Sequence, residues 1–221
     1  AMLHVPSMEE ELNLCMLTKK GIIKRTLLSA YNTARKGGII AIDLDEDDEL
    51  CFTALTSGSD ELIIATKKGM AIRFKETDAR LLGRTARGVR AINLSDEKDD
   101  SVIGCAVVEE GKALLTVTET GFGRVSEFDN YRLQSRGGKG LINYHTEKFG
   151  DVAAVAAISG DEDAILISAG GIIIRHYAGP NTPELVGCNA HTDTGAADQD
   201  APADLSTGDC RRHLCRIVGI P

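Results

Sequence analysis

The 221-residue chain has no Trp, and Phe and Tyr together supply nine residues. A core of stacked aromatics is thereby excluded, and aliphatic side chains must fill the interior. Proline is scarce too, 5 residues against 23 glycines, so the turns must rest on glycine. Apolar runs such as Val152–Ile158 fall far short of the roughly 20 residues of a membrane-crossing helix. The N-terminal residues lack a basic stretch followed by an apolar core, so no secretory leader is expected. The six cysteines, at 15, 51, 105, 188, 210 and 215, form no CxxC pair and have no His at ligand spacing. That argues against zinc and against a disulfide framework, and for reduced thiols in the cytoplasm. Cys15, Cys51 and Cys105 sit in apolar, strand-like segments, as small buried hydrophobes do. No phosphate-binding P-loop is present. His145 and the four tyrosines have no triad or metal partner at recognisable spacing. Neither catalysis nor a metal is expected of this chain.

Charge of one sign is not lacking: the formal net charge is −8, which taken whole argues against a nucleic-acid binder. The distribution is uneven, since six of the acids crowd into Asp43–Glu49. That run has the carboxylates of a calcium loop but no Gly at its sixth position, and strands flank it, so a solvated turn is expected. Local clustering must therefore decide.

What the sequence has in abundance is repetition. An apolar strand recurs about every fifty residues, at Leu14–Leu17, Leu62–Ala65, Leu114–Val117 and Ile165–Ile167. Each meets a tight turn ending in Gly21, Gly69, Gly121 or Gly171, as hairpins need where φ is positive. A second strand leaves each turn: Ile22–Leu27, Met70–Phe74, Phe122–Val125 and Ile172–Arg175. A polar, basic connection ending in Gly follows, then a third strand (Ile39–Ile42, Val89–Ile92, Leu141–Tyr144), an acidic turn, and a fourth strand (Leu50–Leu55, Val102–Val108, Val152–Ile158). Three four-stranded units are thus expected, near 12–60, 61–112 and 113–163, with a half unit at 164–175. Such a period predicts an all-β, propeller-like array whose neighbouring sheets bury each other's faces. Residues 1–11 read as a disordered lead-in. Residues 176–221 break the pattern in mid-repeat and read as a disordered, atypical tail.

The third connection, Gln134-Ser-Arg-Gly-Gly-Lys-Gly140, concentrates three glycines and two cations in seven residues. Arg can fork onto phosphate oxygens, Lys supplies a point charge, and glycine keeps side chains out of the way. A solvated hairpin loop would have the same composition. Further cations recur after the hairpin turns (Lys24, Arg25, Arg73, Arg124, Arg175) and in the other connections (Arg35, Lys36, Arg84, Arg87, Arg90). Together they suggest a basic rim, with the acidic turns at the opposite edge.

These seven residues resemble the signature box of the DNA gyrase A family, usually Gln-Arg/Lys-Arg-Gly-Gly-Arg/Lys-Gly. The resemblance extends through Leu55–Glu61, Arg73–Thr77, Gly88–Arg90 and Leu115–Gly123, over roughly residues 12–175. It implies a β-pinwheel, a propeller variant with strands exchanged between blades, here incomplete. It also implies double-stranded DNA as a partner, wrapped through sequence-independent phosphate contacts that bias a type IIA topoisomerase towards negative supercoils. Arg136 and Lys139 would grip phosphates, Gly137, Gly138 and Gly140 would let the loop lie flat, and Gln134 would orient it. Ser135 departs from the box by one charge, and the box falls in the third unit, whereas the family's principal box belongs to the first blade. The remainder of gyrase A and the gyrase B protein would be partners in a parent enzyme that uses ATP and magnesium elsewhere. A topoisomerase IV-type domain is an alternative, disfavoured by the nearly intact box, and a protein-binding scaffold is another. An unclosed array could also dimerise through its edge strands.

Overall fold

The computed structural model describes residues 3–5, 7–8, 11–33, 37–94, 99–160, 162–168, 171, 173–177 and 214–220. Its strands are β1 (Asn13–Thr18), β2 (Ile22–Leu27) and β3 (Leu50–Thr56), then β4 (Glu61–Thr66), β5 (Met70–Lys75), β6 (Val89–Arg90) and β7 (Val102–Val107). They continue with β8 (Ala113–Thr118), β9 (Gly123–Glu127), β10 (Leu141–Ile142) and β11 (Val152–Ile158), and end with β12 (Asp163–Ser168), β13 (Ile173–Tyr177) and β14 (Leu214–Ile220). All pairings between them are antiparallel.

The sheets are ordered β3-β1-β2-β6, β10-β5-β4-β7, β11-β8-β9 and β13-β12-β14. No full unit therefore keeps four strands in its own sheet: the first two sheets take β6 and β10 from the following unit, and the third holds only β11, β8 and β9 of its own, contrary to the residue pattern but as the family resemblance implies. The short third strand crosses to the preceding sheet: β6 of the second unit pairs with β2 (Ile22↔Arg90, Ile23↔Val89), and β10 of the third with β5 (Leu141↔Ala71, Ile142↔Met70). Ile39–Ile42, expected as the first unit's third strand, forms no strand, since no preceding hairpin lies among the described residues. The acidic turn at 146–151 contains one helical turn, Thr146–Phe149. The tail, expected without strands, supplies β14, which joins β12 on the side opposite β13 through a Val- and Ile-containing segment. The rest of the tail, 178–213 and residue 221, lies outside the described residues.

Strand exchange places the cores between units. Along β4 the pleat sends Leu62 and Ile64 into one cluster with Leu17, Ile23 and Val102, and sends Ile63 and Ala65 into another with Leu114, Phe128 and Tyr131. Both faces are covered, which explains an apolar run where a half-exposed strand would alternate. A third cluster (Leu115, Val117, Ile158, Ala164, Leu166) joins the third unit to the fourth sheet. Each aliphatic side chain buried this way contributes about 1.5–3 kcal/mol.

Candidate nucleic-acid interface

The connections are laid across the seams between sheets. In the second, Leu81 bridges Arg25 and the Leu82 amide donates to the Arg25 carbonyl at 2.8 Å. In the third, Leu133 bridges Arg73 and the Gln134 amide donates to the Arg73 carbonyl at 2.9 Å. This equivalence aligns Arg80 with Arg132, Arg84 with Arg136, Arg87 with Lys139, and Gly88 with Gly140. The closing glycines touch the neighbouring strand. Gly140 has φ +81°, and a Cβ there would lie 2.3 Å from the Ala71 carbonyl oxygen; at Gly88, φ +116°, it would lie 2.7 Å from that of Ile23. Close approach between blades is thus what requires these glycines.

The box makes most of its contacts with protein. Arg136 donates from Nε to the Asp78 carbonyl (2.8 Å) and from a terminal nitrogen to the Arg90 carbonyl (2.9 Å). The Gly137 amide donates to Ala91 at 2.6 Å, and the Asn93 amide to Gly138 at 2.8 Å. The Gln134 side-chain nitrogen is buried without a partner among the described residues. Ser135 and Lys139 are exposed. These contacts draw the second and third connections into one ridge, where Arg90 and Lys139 are exposed and Arg84 and Arg136 half-exposed. Arg80 and Arg132, also exposed, belong to it. Sequence reasoning missed these two, although each stands eight residues before its closing glycine. The side chains of Arg80, Arg84, Arg90, Arg132 and Lys139 have no carboxylate partner among the described residues. Arg87 differs, meeting Asp45 at 2.8 Å and Asp43 at 3.9 Å.

The cations that follow the hairpin turns are not on this ridge. Lys24 is fully buried; its ammonium donates to the Ala41 carbonyl at 2.6 Å and to that of Arg84. Burial, and secondarily the Arg84 charge, lower its pKa. Arg124 donates to the Asn143 carbonyl at 2.5 Å and stacks 5.8 Å from the Tyr144 ring centre. Arg25, 7% exposed, reaches the Ala79 carbonyl at 2.9 Å and Glu76 at 3.5 Å. Arg73 bonds Glu61 at 2.7 Å and the Phe128 carbonyl at 2.8 Å. Lys24, Arg25 and Arg73 thus tie one unit to the next, and Arg124 ties the third segment of its own unit, because a desolvated cation needs acceptors and the carbonyls there provide them. Arg175 is exposed and paired with Asp163. Arg35 and Lys36 lie outside the described residues.

The acidic turns serve the hairpins. Asp48 accepts the Lys20 and Glu49 amides, each at 2.9 Å, and Asp100 accepts those of Lys68 (3.1 Å) and Ser101 (2.9 Å). Asp151 reaches back to the preceding unit's turn, meeting Lys68 at 3.0 Å and Lys67 at 3.4 Å. Acids and hairpin lysines therefore largely neutralise each other, which leaves the connections as the unbalanced positive surface. Cys15 is buried, and Cys51 and Cys105 are half-buried, all as free thiols. No group of three metal-ligating side chains occurs among the described residues, and no helix among them is long and apolar enough to cross a membrane.

The sequence profile of the DNA gyrase C-terminal domain, beta-propeller, matches residues 12–55, 60–109 and 112–159. The chain belongs to the DNA gyrase C-terminal domain family. It is 43% identical over 170 residues to the DNA gyrase A protein of Haloquadratum walsbyi, covering 76% of this chain and 20% of that protein. Against the DNA gyrase A protein of Staphylococcus aureus (strain MRSA252) it is 40% identical over 178 residues, 79% of this chain and 20% of the relative. The chain thus spans about a fifth of these relatives' length. Among solved structures, a DNA gyrase A C-terminal domain superposes with a TM-score of 0.66 at 26% identity, covering 77% of this chain and 57% of that one. The C-terminal domain of a DNA topoisomerase IV superposes at 0.78 with 18% identity, over 98% and 64% of the two chains, a likeness of fold.

Proposed function

We propose that this chain is a DNA-wrapping module of a gyrase A-type topoisomerase and grips duplex phosphates along the ridge formed by its second and third connections. The observation that carries this reading is the docking of the box onto the second connection through Arg136, Gly137 and Gly138. The docked connections carry the recurring cations Arg80, Arg84 and Arg90 on one side and Arg132, Arg136 and Lys139 on the other. Such a row can follow a phosphate backbone without touching base edges, so binding is sequence-independent and steeply dependent on salt. Arg136 acts here mainly as the clamp that aligns the ridge, and Lys139 as a phosphate contact. In the parent enzyme, curvature imposed on the duplex would bias strand passage towards negative supercoils, with ATP handled by other parts.

The test is affinity for a linear duplex across a salt series. The reading expects a steep fall in binding with salt for any sequence, and Lys139→Ala should flatten the log–log slope by about one unit. Absence of binding at low salt, or a slope that Lys139→Ala leaves unchanged, refutes the assignment.

A further inference from the structure

The joint between the first and second units and the joint between the second and third are built alike but carry different charges. At each, the segment after a closing glycine runs beside the next unit's connection. Asp43, five residues after Gly38, donates its amide to the Ala86 carbonyl at 3.4 Å. Asn93, five residues after Gly88, donates its amide to the Gly138 carbonyl at 2.8 Å. Ala86 and Gly138 each stand two residues before the next closing glycine, so the two contacts are equivalent. At the first joint the Lys24 ammonium also bridges the Ala41 and Arg84 carbonyls. The segment from Ala41 to Asp45 is thereby fixed along the second connection. Its side chains set it apart, because Asp43 and Asp45 stand where the second joint has Asn93 and, in sequence, Ser95. The Asp45 carboxylate accepts from the Arg87 guanidinium at 2.8 Å, and an Asp43 oxygen lies 3.9 Å from Arg87 Nε. Lys139 holds the place of Arg87 in the third connection, and it is exposed with no carboxylate partner among the described residues.

We infer that Asp43 and Asp45 are an internal competitor for phosphate, and that they withhold Arg87 from the duplex until a backbone phosphate displaces them. The inference rests on the reading of the ridge as a phosphate grip, and makes two equivalent cations on it unequal. Two carboxylates on one guanidinium occupy the fork that a phosphate would use. The side chains are open to a ligand, Arg87 and Asp43 at 60% exposure and Asp45 at 45%. An exposed pair of this kind is weak, so a phosphate can replace it, but the released carboxylates stay beside the ridge and repel the duplex. Position for position, DNA is therefore held more tightly at Lys139 than at Arg87. The molecule carries its own neutral comparison, since Asn93 keeps the shape of Asp43 and the same amide contact without the charge.

The test is affinity for a linear duplex across a salt series, with four forms of the full chain. These are wild type, Asp43→Asn with Asp45→Asn, Arg87→Gln, and all three changes together. The three side chains are exposed, so the fold should survive, and equal melting temperatures check this. Removing both carboxylates should raise affinity at low salt about two- to fivefold, the worth of one exposed ion pair. It should also steepen the log–log slope by about one unit, as Arg87 becomes a full phosphate contact. With Arg87→Gln present, the same two changes should give no steepening and lose most of the gain. An equal gain with and without Arg87 would show a general charge effect, and no gain would show that the pair does not compete. Lower affinity would show that the acids position Arg87 for the duplex. Each of these three outcomes overturns the inference, and steep binding by the wild type would leave the ridge reading standing. If neither wild type nor the Asp43→Asn, Asp45→Asn variant binds at low salt, the ridge reading falls and the inference with it.

Discussion

Glu76 should be among the most costly side chains in the molecule to truncate. It is completely buried at the joint between the first and second units. Its carboxylate accepts the Thr56 hydroxyl at 2.6 Å and the amides of Gly58 at 2.7 Å and Asp60 at 2.9 Å, and faces the Arg25 guanidinium at 3.5 Å. Glu76→Ala removes the countercharge of an Arg side chain that is only 9% exposed, and leaves two loop amides without their acceptor. Breaking a buried, hydrogen-bonded pair costs about 3–5 kcal/mol, against about 5–15 kcal/mol for a whole domain. Glu76→Gln keeps the shape and an acceptor oxygen, so its loss should be smaller. Urea unfolding of the two variants and of Arg25→Met, combined in a double-mutant cycle, should give a coupling of about 0.5–3 kcal/mol between positions 25 and 76. If Glu76→Ala costs less than about 1 kcal/mol, the value of an exposed pair, the joint does not depend on this carboxylate and the reasoning fails.

Gly140→Ala should destabilise by more than about 1 kcal/mol, since positive φ and a 2.3 Å approach to the Ala71 oxygen both oppose a side chain. Gly138→Ala should cost less, because its nearest neighbour would be the Ile72 Cδ1 at 3.7 Å; equal losses in thermal unfolding would contradict the docking role of the closing glycine. Burial pushes the Cys15 thiol from 9.0 up to about 11 and Cys105 up to about 12. The unfolded chain then loses these protons first, so stability falls as pH rises from 9.0 towards 11. The Cys15→Ala, Cys105→Ala double variant should show a shallower decline in denaturation measured on either side of pH 9.0, and a parallel decline would show that other groups cause it. Lys24→Met should destabilise by about 1–3 kcal/mol at neutral pH, because the Ala41 and Arg84 carbonyls lose their donor. Unchanged stability would mean that water replaces the ammonium.

The hairpins were legible because their signals are local. Leu62–Ala65, a lysine pair, Gly69 and Met70–Phe74 state two strands and their turn within thirteen residues. The period then gave the array, and the box gave the family. What the residue pattern did not state was partnership. Val89–Arg90 and Leu141–Ile142 read as strands of their own units, but each pairs with the hairpin before. Periodicity cannot distinguish the two choices, because a shift by one whole repeat leaves the pattern unchanged. Only the family resemblance carried the exchange.

The same ambiguity governs the cations, and explains which of them were misplaced. Counted from the turn glycine, Lys24 and Arg124 occupy the third position and Arg25, Arg73 and Arg175 the fourth. Side chains on successive strand residues face opposite ways, so these five could never form one rim. The third position is filled in the second unit by Ile72, a core residue. A basic residue there turns inward, fully buried as Lys24 is or half-buried as Arg124 is, and its charge is met by the unit's own third segment, through Ala41 and Asn143. The fourth position faces the next unit, and in the third unit it is Val125, which packs against the cluster joining it to the fourth sheet. One joint is thus held by apolar contact where the first two use arginine. Charge on a strand that is covered on both faces belongs to assembly, whereas charge on the connections remains for a ligand. Replacing Arg73 should accordingly lower stability more than duplex affinity, and replacing Lys139 the reverse. A Lys139→Ala variant whose melting temperature falls as far as that of Arg73→Ala would end this division of labour.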